Sequence, residues 1–321
     1  MSTKTHAKDW LNNLKKTLDS DEIWVKMEAI TKIAQIDTPE AYTILLQALK
    51  DNEPQVRIKA IQAISKFKRK GGANKIARLL KDENTLVRRR AALTLGEIKE
   101  AKPILLDLLE YGSKVEKRYA AIALGAAKGK DTYSHLLKAL DSENYEVRCG
   151  AVEGLGQMRE RKATKPIIRC LKDDSPEVRI RAVDVLGILN DTRAVEPLIE
   201  AVRDPDKNVR WRAVYVLGHY SESGNQIAED AIIKALEDED WNVRRMAVLE
   251  LRHGDDKVFT ALMKRLKDKS KFVRRYAAYS LGRLGALKAV PDLVELLNDP
   301  ELEVRDQARW ALKKLGKQQL K

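Results

Sequence analysis

The sequence predicts an all-α fold, a solenoid of ten stacked two-helix repeats of about 31 residues. One phrase recurs along the 321 residues and reads DDSPEVRIRAVDVLGIL in its clearest copy, Asp173 to Leu189. Apolar residues follow the three- and four-residue steps of a helix, and no stretch alternates as a β-strand does. A fixed period of this length is typical of repeats that stack on their neighbours.

A Val-Arg pair marks the second helix of each repeat. Eight pairs are intact, and Val25-Lys26 and Glu116-Lys117 hold the same position in altered form. Counted from Val25, the spacings between successive anchors are 31, 31, 29, 31, 31, 31, 34, 30 and 31 residues. The intact pairs are Val56-Arg57, Val87-Arg88, Val147-Arg148, Val178-Arg179, Val209-Arg210, Val243-Arg244, Val273-Arg274 and Val304-Arg305.

The seventh repeat shows how one unit is built. Helical spacing of apolar residues from Val195 to Val202 predicts a first helix. Pro197 falls in its first turn, where a missing N–H removes no helical hydrogen bond. Asp204-Pro205-Asp206 predicts a tight turn, and an inward apolar stripe from Val209 predicts a second helix that we expect Gly218 to close.

The unbroken repeat predicts one domain over residues 1–321, although the length alone would suggest two. Polar segments at residues 7–18 and 317–321 are typical of capping helices and favour a monomer. The predicted repeats span approximately 7–36, 38–67, 71–99, 101–128, 131–159, 161–190, 192–220, 225–253, 255–285 and 287–316.

Seven repeats place an Asp six residues before the anchor Arg, as in Asp173 and Arg179. We expect this Asp to cap the second helix with one oxygen and to meet an Arg one helical turn inside with the other. Stacked repeats would then join these pairs into a ladder between neighbours. Because repeat position explains these arginines, they are excluded from the candidate ligand contacts.

The pattern D-x-x-x-x-V-R-x-x-A, followed by L-G, resembles the HEAT-like repeats of the phycobilisome lyase family over nearly the whole chain. The resemblance implies a right-handed α-α superhelix with the second helix of each repeat on the concave side. It leaves the function open, because such arrays serve as scaffolds, lyases, DNA glycosylases and metal enzymes.

Residues that depart from the repeat are the candidates for function. Positions two, three, six and ten after the anchor Val share the face opposite the packed residues. Four of the five Trp and five of the nine Tyr lie there or at the helix entrance, and Trp, Tyr and Arg dominate binding hot spots. The candidate partner-binding residues are Arg89, Arg90, Arg118, Tyr119, Arg181, Trp211, Arg212, Tyr215, Trp241, Arg245, Arg275, Tyr276, Tyr279 and Arg283.

The net charge of +13 favours an acidic partner. From Arg57 to Arg90 there are twelve basic and two acidic residues, including a basic run at residues 68–70. Acidic residues on the same face would repel a continuous phosphate backbone; these are Glu28, Glu97, Glu153 and Asp184.

We therefore expect a non-enzymatic scaffold that binds an acidic protein or peptide segment in a concave groove. Nucleic-acid binding is the first alternative, with Arg and Lys on phosphates and rings stacked on bases. A bilin-lyase-like enzyme, or another HEAT-like enzyme, is the second. The lyase interpretation follows from the family resemblance alone, since an Arg- and aromatic-lined groove suits a tetrapyrrole with propionates.

Few residues suggest catalysis, and we expect no metal and no cofactor. His219 and His253 share position ten in adjacent repeats, with Glu250 as a possible third ligand. HEAT-like deoxyhypusine hydroxylases carry His-Glu pairs for a di-iron centre, whereas Tyr220 and Gly254 follow these histidines.

Two further chemical interpretations stay open. Trp211, Asp184 and Arg181 match the residue types that HEAT-like DNA glycosylases place around a damaged base, although no motif fixes them. Cys149 occupies a face position, but no base accompanies it, so we expect a buried and unreactive thiol.

The remaining composition favours the cytoplasm. Two cysteines do not make a disulfide framework, and no apolar segment approaches the roughly 20 residues that span a bilayer. We expect no membrane association.

Overall fold

The computed structural model describes residues 2–67 and 71–319, with side chains described for 10–67 and 71–316. The basic run at 68–70 and the last two residues of the expected C-terminal cap lie outside the described residues. The described chain consists of α-helices and short 3-10 turns, without a β-strand, so the predicted all-α class is confirmed. It divides into two compact units between Arg159 and Glu160.

Each unit contains ten α-helices among its described residues. In the first unit they are α1 Ser2–Thr17, α2 Ile23–Ile33, α3 Pro39–Ala48, α4 Pro54–Ile64, α5 Gly72–Ala77, α6 Thr85–Glu97, α7 Lys102–Tyr111, α8 Lys114–Ala127, α9 Lys130–Ala139 and α10 Tyr145–Met158. In the second they are α11 Thr164–Arg169, α12 Pro176–Leu189, α13 Val195–Ala201, α14 Lys207–Glu222, α15 Gln226–Ala235, α16 Trp241–Glu250, α17 Asp256–Lys264, α18 Lys271–Leu284, α19 Val290–Glu295 and α20 Leu302–Gln319.

The helices pair as the repeat predicts. Each odd-numbered helix packs on the even-numbered helix that follows it, and within a unit each even-numbered helix packs on the next. Several first helices are short and end in a 3-10 turn, as α17 does at Arg265–Lys267. The even-numbered helices therefore form one layer in each unit, and every anchor Val lies in this layer.

Burial of the inward stripe holds the layers together. Leu198 on α13 and Val209, Ala213 and Leu217 on α14 are fully buried. Each such branched aliphatic side chain stabilises the fold by about 1.5–3 kcal/mol. The stripe leaves positions two, three, six and ten after the anchor on the opposite side of the helix.

The expected ladder between repeats is present, but the Asp carboxylate binds the anchor cation of the preceding repeat and not the Arg one turn inside its own helix. The Arg179 guanidinium donates two hydrogen bonds to the carboxylate of Asp204 in the next repeat, at 2.7 and 2.8 Å. Its remaining Nη1 donates to the carbonyls of Asp173 and Asp174 in the turn before its own helix. The same pairing joins Lys26 to Asp51, Arg57 to Asp82, Arg210 to Asp238, Arg244 to Asp268 and Arg274 to Asp299.

The expected capping role of the ladder Asp is wrong in detail. Asp204 Oδ1 accepts the N–H of Asp206, two residues later, and so fixes the turn before the helix. Asp206 is the cap, because its side chain accepts the N–H groups of Asn208 and Val209. The ladder Asp is thus held by its own turn while it binds the preceding repeat.

Gly218 does not close the second helix, because α14 continues to Glu222. The glycine lies inside the helix, where an added Cβ would collide with the side chain of Glu250 on α16. Because Gly218 has no side chain, α14 and α16 can pack closely at this point.

Candidate binding face of the second helices

The exposed side of the second helices in the second unit carries most of the predicted binding residues. On α14, Trp211 and Arg212 are half-buried and Tyr215 and His219 are exposed, while the intervening positions are largely buried. We call this surface the second-helix face. Its members on α12 to α20 and the loop after α16 include Arg181, Asp184, Trp211, Arg212, Tyr215, His219, Arg245, Met246, His253, Arg275, Tyr276, Tyr279, Arg283, Asp306, Gln307 and Trp310.

Aromatic rings stack across neighbouring helices at this face. Trp241, at the start of α16, stacks on Phe272 of α18 with ring centroids 4.8 Å apart. Tyr279 of α18 stacks on Trp310 of α20 at 5.2 Å. Trp241, Phe272 and Trp310 each keep about 40% of their surface exposed, so these stacks offer apolar area to a partner.

Arginine guanidinium groups lie over two other rings of the face, Tyr276 and Trp211. Arg245 of α16 and Arg275 of α18 approach Tyr276, with guanidinium carbons 5.5 and 5.7 Å from the ring centroid. Arg212 lies 4.7 Å from the Trp211 ring. Cation–π contacts of this kind hold a guanidinium in place and leave its N–H groups for an external acceptor.

The arginines on the face differ in their ionic partners. Arg212 donates to Asp184 at 2.7 Å, and Arg181 lies 3.7 Å from the same carboxylate. By contrast, within the described part of the chain Arg245 and Arg275 have no carboxylate within ion-pair distance. Arg245 is oriented by Asn242, whose Oδ1 accepts two of its hydrogen bonds.

Arg283 follows the same pattern at the end of α18. Its Nη2 donates to the carbonyl of Leu251 at 3.4 Å, and no described carboxylate pairs with it. The α16–α18 part of the face is therefore a run of cations without a described carboxylate within ion-pair distance, and Glu303 and Asp306 of α20 line a pocket together with Arg275.

The two histidines do not form a pair. Tyr215 meets the His219 ring edge-on at 5.0 Å, and His253 is exposed in the loop after α16. Glu250 is buried, and this burial raises the pKa of its carboxyl, which accepts a hydrogen bond from Arg252. In residues 2–67 and 71–319, no group of three or more His, Cys, Asp or Glu side chains is placed to hold a metal ion.

The remaining chemical candidates are engaged within the fold. Asp184 forms ion pairs with Arg212 and Arg181. The glycosylase interpretation would instead place this carboxylate beside a damaged nucleobase. Cys149 and Cys170 are buried thiols, and neither forms a disulfide with another described residue.

The first unit places its predicted residues differently. Tyr119 is only 5% exposed, so the expectation that it faces a partner is corrected. Arg88 and Arg118 lie over its ring at 5.3 and 5.8 Å. Arg89 forms a 2.8 Å ion pair with Glu153 of α10, and Glu153 is itself buried rather than on the surface as expected.

Arg90 of the first unit is exposed to solvent. It lines a surface pocket of about 340 Å³ between α2, α4 and α6, together with Lys59 and Lys66. Glu97, which was predicted on the same face, also lines this pocket.

Two residues that the sequence reasoning missed complete the face. Asn242 fixes Arg245, and Lys271 lies 5.7 Å from the Phe272 ring. The i,i+3 spacing of Asn242 and Arg245 on one helix was a readable signal for the first contact. Lys271 precedes Phe272 directly, and no spacing rule singled it out.

Comparisons with known proteins agree with this architecture. The family model for HEAT repeats matches residues 42–125, 103–174, 133–218, 195–257 and 229–313. A phycocyanobilin lyase subunit alpha from Picosynechococcus is 38% identical over 77 residues, which is 22% of this chain and 29% of that protein. The match thus spans less than a third of the lyase subunit.

Two solved structures share the fold at low identity. The Escherichia coli protein YibA superposes with a TM-score of 0.60 at 21% identity, covering 83% of this chain and 98% of that one. Kap95p, the yeast importin-beta, in its study with RanGDP gives 0.65 at 13% identity, covering 96% of this chain and 50% of that one. The chain spans about half the length of Kap95p.

None of the described helices is both long enough and apolar enough to cross a membrane. The HEAT-repeat matches together extend from residue 42 to residue 313, the ladder and helix pairs recur in both units, and the chain belongs to the HEAT-repeat family.

Proposed function

We propose that this protein is a non-enzymatic scaffold that binds an acidic segment of another protein on the second-helix face of its second unit. The observation that carries the proposal is the set of half-buried arginines Arg245 and Arg275, held over Tyr276 without a described carboxylate partner. Such guanidinium groups are positioned to take the carboxylates of a partner, often through two parallel hydrogen bonds.

The adjacent ring stacks support a protein rather than a nucleic acid. Trp241 and Phe272 are stacked on each other, as are Tyr279 and Trp310, so each pair already uses one face of each ring. Only the second face of each ring then remains for a stacked base. Asp306 beside Trp310 and Asp184 beside Arg212 would also repel a phosphate backbone.

The fold neighbours are compatible with this role. Kap95p, which has the same fold, binds RanGDP. That activity belongs to Kap95p, and for this chain it supports only the proposal that a HEAT-repeat surface takes a protein partner.

A capture experiment tests the proposal. Immobilised wild-type protein is expected to retain an acidic protein from the extract of its source, and the Arg245→Gln/Arg275→Gln double variant is expected to lose it. Arg203→Gln is the matched control, because Arg203 is exposed on the first-helix side of the same unit. Equal capture by the double variant and the control would contradict the assignment of this face.

Bilin handling is a second candidate, favoured by the lyase relative alone. An arginine- and aromatic-lined surface suits a tetrapyrrole with propionates. Titration of phycocyanobilin into the wild-type protein, followed by absorption, tests it directly. A saturable spectral change that Arg275→Gln removes would favour bilin binding, and an unchanged spectrum would eliminate it.

A further inference from the structure

We call each ladder contact, between the anchor cation of one repeat and the Asp of the next, a rung. In every complete rung the Asp binds both that cation and a backbone N–H of its own turn. In the first rung, Asp51 Oδ1 accepts the N–H of Glu53 at 2.9 Å, and Oδ2 holds the Lys26 ammonium of the preceding repeat at 2.9 Å. The rung at Lys26 shows that a lysine in the anchor position pairs with this Asp as an arginine does.

Two rungs in the first unit lack their carboxylate: the position that would pair with Arg88 holds Tyr111, and the second such rung lies one repeat later. The cation of this second rung is Lys117 on α8, and the ladder position of the next repeat holds Ser142. Ser142 performs the turn task, because its Oγ accepts the N–H of Asn144 at 3.3 Å. It carries no charge, and within the described part of the chain Lys117 has no carboxylate within 4.0 Å.

A pocket occupies the place of the missing contact. Its volume is about 450 Å³, and both Lys117 and Ser142 line it. Leu106, Leu109 and Ala139 supply apolar walls, and Lys138 adds a second cation. The carboxylate that lines the pocket, Glu110, accepts a hydrogen bond from Tyr111, which raises the pKa of that phenol.

We propose that this pocket binds a small amphipathic carboxylic acid. The ligand carboxylate takes the place of the absent Asp beside Lys117, and its aliphatic body lies against Leu106 and Leu109. A cavity of 450 Å³ is in the range of small-molecule sites, and its lining combines an apolar wall with cationic and hydroxyl groups, as an amphipathic acid requires. The site lies in the first unit and is independent of the protein-binding proposal.

Calorimetric titration of the full chain with octanoate tests the site, with octanamide as the uncharged probe of similar shape. Octanoate is expected to bind more tightly than octanamide. Lys117→Gln is expected to weaken octanoate binding about tenfold or more, the size of one charge-assisted contact. Lys114→Gln, an exposed change on the same helix that does not line the pocket, should leave the affinity unchanged.

A second pair of variants tests the ladder explanation itself. Ser142→Asp supplies the missing carboxylate, so it is expected to abolish octanoate binding and to raise the midpoint of thermal unfolding. Ser142→Asn keeps the turn acceptor without the charge and should still bind octanoate. Circular dichroism of each variant checks folding. Failure of the wild type to bind octanoate, equal binding of octanoate and octanamide, or unchanged binding in Lys117→Gln would overturn the proposal.

Discussion

At the scale of single residues, arginine has two uses in this chain, and position in the repeat decides between them. Arg244, an anchor Arg, donates to two carbonyls of its own turn and to the Asp268 carboxylate of the next repeat. The side chains of Arg244 and Asp268 are both buried. A face Arg such as Arg275 lies over an aromatic ring. The anchor Arg donates its hydrogen bonds inside the fold, whereas Arg275 has no described carboxylate within ion-pair distance.

Replacement of a buried ladder cation should lower the free energy of unfolding substantially. Arg244→Met leaves the Asp268 carboxylate buried with its main counter-charge removed, and we expect a loss of about 3–5 kcal/mol in unfolding free energy. Urea denaturation followed by circular dichroism measures it. Lys288→Met removes an exposed ion pair with Asp256 and should cost less than about 1 kcal/mol. Similar losses in the two variants would contradict the structural role of the ladder.

Asp191 gives the fold an acid-sensitive contact. Hydrogen bonds from Arg193, aided by one from Thr164, hold the pKa of this buried carboxyl well below its usual range. The unfolded value lies near 3.9, so the contact stabilises the fold above about pH 4 and is lost as the pH falls further. Asp191→Asn should flatten the decline of thermal stability below about pH 4. Asp174→Asn, at an exposed position, serves as control, and an unchanged decline in Asp191→Asn would contradict the assignment.

The ladder was readable from sequence because an Asp six residues before the anchor Arg recurs in seven repeats. The exact capping residue was not, because Asp204 and Asp206 are equally able to cap and only the turn geometry separates them. The burial of Tyr119 and Glu153 could not be predicted from their positions on a single helix. It depends on how closely α8 and its neighbours pack, which no single helix specifies.

At the scale of helices, glycine sets the distance between α8 and α10. A Cβ on Gly125 would collide with the backbone of Gly154, and one on Gly150 would lie 2.5 Å from the Arg118 carbonyl oxygen. Backbones therefore touch directly at this point. The same contact brings Glu153 into the interior, where Arg89 reaches it.

Two Gly→Ala variants with opposite expected effects on stability test this packing. Gly125→Ala must separate α8 from α10, and we expect a clear fall in the thermal midpoint. Gly316→Ala lies in α20 with no heavy atom within 4 Å of the added Cβ. Alanine there should stabilise the helix by roughly 0.5–1 kcal/mol. The account of the α8–α10 contact fails if Gly125→Ala is tolerated as well as Gly316→Ala.

At the scale of the whole molecule, the repeat determined the fold class, while the departures from it locate the candidate face. In the second unit the rings and arginines project from the side of each helix opposite the buried stripe, and their binding role stays a prediction. In the first unit, Arg89 pairs with a buried carboxylate and Tyr119 is itself buried. Position in a helix predicts which side a residue occupies but not whether a neighbouring helix covers it.

The charge distribution on the face sets the partner class that we propose. Cations without described counter-charges lie on α16 and α18, while the acidic face residues Asp184 and Asp306 lie on α12 and α20. A short acidic segment with apolar side chains matches both the cations and the ring stacks.

The most direct test is a titration of two probes of equal charge, an acidic peptide with interspersed Leu and Phe and a single-stranded oligonucleotide, measured by fluorescence anisotropy. We predict tighter binding of the peptide, loss of that binding in Arg245→Gln/Arg275→Gln, and retention in Arg203→Gln. Tighter binding of the oligonucleotide with a steep salt dependence, or peptide binding that the double variant leaves unchanged, would contradict the protein-binding face.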